Sequence, residues 1–434
     1  MNTSALRVVI LFSVHALTGL LAHAVETPVA PEKPNHWTDA NSNFYRRAVT
    51  GHVTNYDEAK TGAFTLPDPL VMQNGTPVRD AAAWFQQRRP EILALYESQI
   101  YGRVSASAPK VTFEVVETEL KAMAGTAVHK LVIVHIGGQP NGPVVHLHLY
   151  LPTASKKPVP VLMQLLFGPP TIPAVAGGAM SVSKEAGPIA EFLARGYGYA
   201  VFRYTEIEPD GGASQQPGVR ALSPESNQEK PAADAWGSIS AWAWGASRML
   251  DYLETDPAVD AKRVALIGHS RLGKTVLWAG AQDQRFALIF SSCSGEMGAS
   301  LSRRDYGETV DDMASSFGHQ FAVNFRQYLG RWNDLPVDSH LLIALSAPRP
   351  VFITGGTQDQ WADPRGEFFA AVEAGSVYRL LGRKGLSSAE FPPVDTPLTS
   401  GELAFLYHTG PHSIITTDWN AFLGFADRYL NPEP

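Results

Sequence analysis

Apolar and polar positions along the chain fall into two regimes. After Lys110, apolar residues recur at the period of two expected of a strand with one buried face. Val111–Val116, Ala127–Val134 and Val144–Tyr150 follow at hairpin-like spacing and predict an antiparallel start to a sheet. Further along, the alternation gives way to apolar runs at Pro160–Leu166, Tyr199–Arg203, Val264–Ile267, Phe286–Ser291, Pro350–Thr354 and Ala404–Tyr407. Runs of this kind suit parallel strands covered on both faces. Between them lie predicted helices at Ile189–Arg195, Trp236–Glu254, Thr275–Ala281 and Thr417–Leu430. Asp80–Ile100 also reads as helical, with Pro90 expected to break it and to start a second helix, because proline is tolerated only in a first turn. Strands alternating with helices after an antiparallel opening predict an α/β class, a three-layer αβα sandwich on a mostly parallel central sheet.

The N-terminus carries a different pattern. Arg7 precedes the apolar run Val8–Val14, which extends through Leu17 to Leu21, and Ala22-His-Ala24 places small residues where a signal peptidase reads. Residues 1–24 are therefore expected to be a secretory signal peptide, residues 25–55 a linker or N-terminal extension, and residues 56–434 a single catalytic domain. No later run is long and apolar enough to span a bilayer, so a secreted or periplasmic protein is expected, off the membrane after cleavage. Of the 434 residues, 44% are hydrophobic, enough for a large core without disulfides, which the lone Cys293 could not form within the chain. The net charge of −7, with no basic block, argues against nucleic acid as a partner. A monomer is expected.

The candidate chemistry centres on Gly268-His-Ser-Arg-Leu-Gly-Lys274, between a predicted strand and a predicted helix. A serine on such a turn is held above the sheet at a helix N-terminus, as in a nucleophile elbow, although the second glycine falls one position late, at Gly273. Ser270 is then the nucleophile, and it needs a neighbouring base. His412 and His408 are the candidates, and placement on the Gly410-Pro-His412 loop favours His412. The orienting acid is expected at Asp359, beyond the Pro350–Thr354 strand; Asp363, directly before Pro364, reads better as a helix cap. The order Ser, acid, His is that of α/β-hydrolases. His146 and His148 share a strand face, without a third ligand to make a metal site.

The elbow also resembles the Gly-x-Ser-Arg-x-Gly-Lys signature of glucuronoyl esterases, carbohydrate esterase family 15, in particular the bacterial branch. Further likenesses are Tyr56-Asp-Glu58, Leu66-Pro-Asp-Pro-Leu70, Arg88-Arg-Pro-Glu91, Trp242-x-Trp-Gly245, Leu301-Ser-Arg-Arg304, Ala347-Pro-Arg-Pro350 and Gly356–Pro364. The resemblance implies a serine esterase acting on esters of (4-O-methyl-)glucuronic acid, as in lignin–glucuronoxylan cross-links, without metal or cofactor. It also implies that Arg271 serves the oxyanion hole and that Lys274, Glu308 and Trp361 bind the sugar. Many members of the family carry a glutamate just before a Ser-Gly pair as the acid; here that position is Cys293, which concentrates the role on Asp359, with Glu296 as the substitute. Gln320 likewise stands where a tryptophan is frequent. The other readings are a carbohydrate acetyl esterase on the same scaffold and a catalytically weakened xylan-binding protein.

Overall fold

In the computed structural model, the described residues are 35–40, 43–138, 142–168, 185–211, 217–223 and 231–432. The expected signal peptide and the first ten residues of the expected linker lie outside them, as does part of the polar loop between Asp210 and Ala232. No helix among the described residues is long and apolar enough to cross a membrane.

The described strands are β1 (Asn35–Thr38), β2 (Phe44–Arg47), β3 (Val111–Ala122), β4 (Ala127–Ile136), β5 (Val144–Pro152), β6 (Val159–Leu166), β7 (Gly198–Arg203), β8 (Val259–His269), β9 (Leu288–Ser292), β10 (Val351–Gly356) and β11 (Leu403–His408). Nine of them form one sheet in the order β11-β10-β9-β8-β6-β7-β5-β4-β3. The antiparallel part runs from β3 to β7, and every pairing from β7 through β6 to β11 is parallel. The alternation read between Lys110 and Tyr150 corresponds to the antiparallel edge, and the continuous apolar runs to the parallel centre.

Helices cover both faces of the parallel centre. Val264 and Leu266 of β8 pack with the helices Ser238–Leu253 and Arg271–Gln282, while Ala265 and Ile267 point the other way, toward the helix Thr416–Leu430. Each fully buried aliphatic or aromatic side chain on these faces contributes roughly 1.5–3 kcal/mol. This is the α/β-hydrolase sandwich.

A second helix starts at Pro90 as expected, with no gap in the helical path before it. A π-helical segment, Trp84–Arg88, hands over to the α-helix Arg89–Leu95, which places Pro90 in a first turn, where its missing N–H leaves no bond unmade. Residues 35–47, inside the stretch read as a linker or N-terminal extension, form the antiparallel hairpin β1–β2, with Trp37 opposite Tyr45 and His36 opposite Arg46.

The parallel topology positions the site. β11, β10, β9 and β8 are neighbours running in the same direction, so the segments leaving their C-terminal ends meet along one sheet edge. Those segments carry His412, Asp359, Cys293 and Ser270.

Candidate active site

Ser270 stands between β8 and the helix Arg271–Gln282 with φ 58° and ψ −128°. A non-glycine residue at positive φ costs on the order of 1–3 kcal/mol and persists only where its surroundings impose it. The imposition is visible here. Ser270 N–H donates to the Ser292 carbonyl at 2.8 Å, and the Ser270 carbonyl accepts from Lys274 N–H at 3.2 Å. A Cβ on Gly268 would lie 2.2 Å from the Leu272 carbonyl oxygen, and one on Gly273 would lie 2.9 Å from Ser294 Cβ. The late glycine of the motif is thus the residue that lets the helix pass close to the end of β9.

Opposite the elbow, the ends of β10 and β11 are stitched together. Thr357 N–H donates to the His408 carbonyl and Gln358 N–H to the Gly410 carbonyl, both at 2.9 Å. A side chain on Gly356 would meet the Pro411 carbonyl oxygen at 2.6 Å. This apposition sets His412 Nδ1 2.6 Å from Asp359 Oδ2. Asp359 is buried, whereas the His412 side chain is 41% exposed, leaving the imidazole accessible from the cleft. The buried His269 ring lies 4.4 Å from the His412 ring, centroid to centroid.

His408 has a different place. It is buried, with Nδ1 2.9 Å from Asp418 Oδ1 and Nε2 3.2 Å from the Pro411 carbonyl oxygen. Burial works against protonation, yet the Asp418 hydrogen bond and charge prevail and raise its pKa. It braces the loop that carries His412. Asp363 accepts from Gly366 N–H at 3.0 Å as the cap of the helix Pro364–Leu380, and pairs with Arg304 at 2.9 Å.

Cys293 and Glu296 occupy the buried side. Burial, with the nearby charges of Asp359 and Glu367, pushes the Cys293 thiol up, which keeps it neutral. Its sulfur and one atom each of Asp359 and His412 lie within 4.8 Å of one another, the one group of three potential metal ligands among the described residues. Burial also raises the Glu296 carboxyl well above its ordinary value, and it is Asp359 that reaches His412 here. Away from the site, His148 Nδ1 lies 3.0 Å from His129 Nε2, and His146 pairs with Glu206 at 3.0 Å.

Two charged groups flank the elbow. The Arg271 guanidinium is hydrogen-bonded to Asp210 and lies near the Phe167 and Phe317 rings. Asp210 also accepts from Tyr204 at 2.8 Å and Gln320 at 3.1 Å, and sits 2.9 Å from His319 Nε2. Burial alone would raise its carboxyl, but the His319 bond and the Arg271 charge hold it well below the usual range. One turn into the helix, Lys274 is buried and donates to the Ser294 carbonyl at 2.7 Å and to Glu308 Oε2 at 3.3 Å. Trp361 Nε1–H donates to Glu308 Oε1 at 3.0 Å, so Lys274, Glu308 and Trp361 form one connected chain.

A cavity of about 390 Å³ opens on this edge, lined by Asp359, His412, Trp361, Phe317, Phe44 and Arg46 among others. Phe44 of the hairpin meets Trp361 edge-on at 4.8 Å. A larger cavity, about 530 Å³, lies between Arg103, Trp236 and Phe321; it touches His319 but holds neither Asp359 nor His412, so the smaller one is the candidate cleft. Asp210, His319, Phe317, Phe44 and Arg46 were not singled out from the sequence as site residues. Their segments have no periodicity or motif to mark them.

A serine held in strained backbone at a helix N-terminus, on the sheet edge that also carries a histidine–aspartate pair, defines a serine hydrolase of the α/β-hydrolase fold. Residues 231–382 match the family model described as glucuronyl esterase, fungi. A carbohydrate esterase from an unidentified prokaryote is 40% identical over 400 residues, covering 87% of this chain and 92% of its own. The solved glucuronoyl esterase of Solibacter usitatus is 42% identical with a TM-score of 0.80, over 85% of this chain and 99% of that one. The 4-O-methyl-glucuronoyl methylesterase of Schizophyllum commune is 30% identical over 73% of this chain and 74% of its own length. The chain belongs to the glucuronoyl esterases, carbohydrate esterase family 15.

Proposed function

We propose that this chain hydrolyses esters of (4-O-methyl-)glucuronic acid, as in lignin–glucuronoxylan cross-links, through an acyl-enzyme on Ser270. The observation that carries the reading is the 2.6 Å contact between His412 Nδ1 and Asp359 Oδ2 on the sheet edge that presents Ser270. Family membership and the activities in the names of its relatives support the substrate class.

In this mechanism His412 Nε2 takes the Ser270 proton as Oγ attacks the ester carbonyl, and Asp359 stabilises the imidazolium that forms. The Arg271 backbone N–H and guanidinium face the charge developing on the carbonyl oxygen. His412 returns the proton to the departing alcohol, then activates the water that releases the uronate. Lys274, Glu308 and Trp361 hold the sugar. The steps need no metal or cofactor. The reading includes a leader, residues 1–24, cleaved to leave Val25 at the N-terminus of a secreted or periplasmic monomer, with the catalytic domain at 56–434 after the extension.

The test compares hydrolysis of benzyl glucuronate with deacetylation of acetylated xylan. Faster turnover of the glucuronate ester is expected. Preference for the acetyl groups would make the chain an acetyl esterase, and xylan binding with no turnover of either substrate would contradict the enzymatic reading.

A further inference from the structure

We propose that His269, between Gly268 and Ser270 in the elbow, is a positioning residue whose ring is the platform that aims the His412 imidazole at Ser270. The inference deepens the reading of Ser270 and His412 as nucleophile and base, and rests on it.

The alternation of β8 directs this side chain. Ala265 and Ile267 face the layer of the helix Thr416–Leu430, so His269, two residues on, falls on the same face. The loop that carries His412 leads into that helix. The His269 ring packs against the His412 ring, with centroids 4.4 Å apart and planes inclined at 53°. Ser270 comes off β8 and His412 from beyond β11, with β9 and β10 between them in the sheet. His269 spans that gap, as the chain neighbour of one and the ring contact of the other.

The platform is itself fixed. His269 is buried, its Nδ1 lies 3.4 Å from Ser292 Oγ, and the Phe167 ring crosses it at 78°. Thr354 Oγ1 donates to Ser292 Oγ at 2.9 Å, and the Ser292 carbonyl accepts from Ser270 N–H at 2.8 Å. One residue of β9 thus anchors both the backbone of the nucleophile and the ring against its base.

His412 needs such a support. Its side chain is 41% exposed, and the Nδ1 contact with Asp359 fixes one atom while leaving the ring free to tilt about it. A misplacement of about 1 Å between a catalytic group and its target can cost roughly 10² in rate. A ring packed on one face of the imidazole removes that freedom. Burial, with the charges of His412 and His408, lowers the His269 pKa, so the platform is neutral and adds no repulsion when His412 takes up the serine proton.

The experiment compares wild type with His269→Ala, His269→Phe and His269→Asn at a temperature where circular dichroism shows them folded. It reads kcat and KM on benzyl glucuronate, and the rate at which a fluorophosphonate labels Ser270, which needs the activated serine but no sugar. His269→Ala is expected to lower kcat and the labelling rate together by roughly ten- to a hundredfold, with KM little changed. His269→Phe keeps a ring against His412 and should recover most of both rates. His269→Asn keeps a polar group toward Ser292 without the ring and should resemble His269→Ala. Wild-type rates in His269→Ala would overturn the proposal, and so would a loss carried by KM; both outcomes need only that variant. Recovery by His269→Asn but not by a folded His269→Phe would assign His269 to its contact with Ser292 and also overturn it. Labelling that falls in His269→Ala, in a chain that turns over no glucuronate ester, would uphold the inference and refute the proposed substrate. No labelling of Ser270 in wild type would overturn both.

Discussion

Asp359 is the side chain on which the assignment of catalytic roles turns, because two other acidic positions could have served. Its contact with His412 Nδ1 leaves Nε2 for the serine proton. Asp359→Asn is expected to lower kcat by roughly 10⁴, the loss known when this partner becomes an amide and the histidine takes the wrong tautomer. Glu296→Gln should leave kcat within a few-fold of wild type, because Asp359 rather than Glu296 meets His412. Steady-state kinetics on a glucuronate ester checks both, and the reverse pattern would move the acid to Glu296. That Ser270, His412 and Asp359 share one sheet edge was legible in the sequence because each sits just past an apolar strand, so chain order stood in for space. Asp210 and Arg46 were not legible, because their contacts with Arg271 and Trp361 bridge parts of the chain that no local pattern links.

At the scale of elements, burial on both faces explains why the sheet could be read so closely. A parallel strand enclosed by helices has to be apolar throughout, and a hairpin with one wet face has to alternate. The hairpin β1–β2 gave no such signal. Its strands are four residues each, most of the described side chains are open to solvent, and its stability comes from Phe44 against Trp361 and Trp37 against Tyr45 rather than from a buried face. The helix start at Pro90 was legible because proline is tolerated only in a first turn, whereas the π-helical segment before it has no sequence signature. The hairpin forms one wall of the cleft, so Phe44→Ala is expected to raise KM for a small glucuronate ester about three- to tenfold, with a smaller effect on kcat, the scale of one edge-to-face aromatic contact. An unchanged KM would remove the hairpin from the substrate site.

Across the whole molecule, the sheet edge gathers carboxyl groups that respond to pH in opposite senses. Burial pushes the Glu367 carboxyl up to about 8; hydrogen bonds from Gly295 and Ser294 oppose the rise, and the charge of Asp359 adds to it. A carboxyl raised in the folded state is protonated there at pH values where the unfolded chain has already lost the proton. Its contribution is thus present at low pH and lost as pH rises from the ordinary glutamate range through about 8. Glu367→Gln keeps the acceptor for Gly295 and Ser294 but cannot ionise. Between pH 5 and 9 the melting temperature of the variant should therefore fall less than that of wild type, and parallel curves would show that Glu367 does not titrate there. Asp210 acts in the other direction, since its depressed carboxyl adds stability that is lost only in strong acid. The central claim is that Ser270 is the nucleophile, and the most direct test is hydrolysis of a methyl glucuronate ester by wild type and by Ser270→Ala. The wild type should turn the ester over, and the variant, with an unchanged melting temperature, should show no hydrolysis above background. Comparable rates in the two proteins would contradict a mechanism through Ser270.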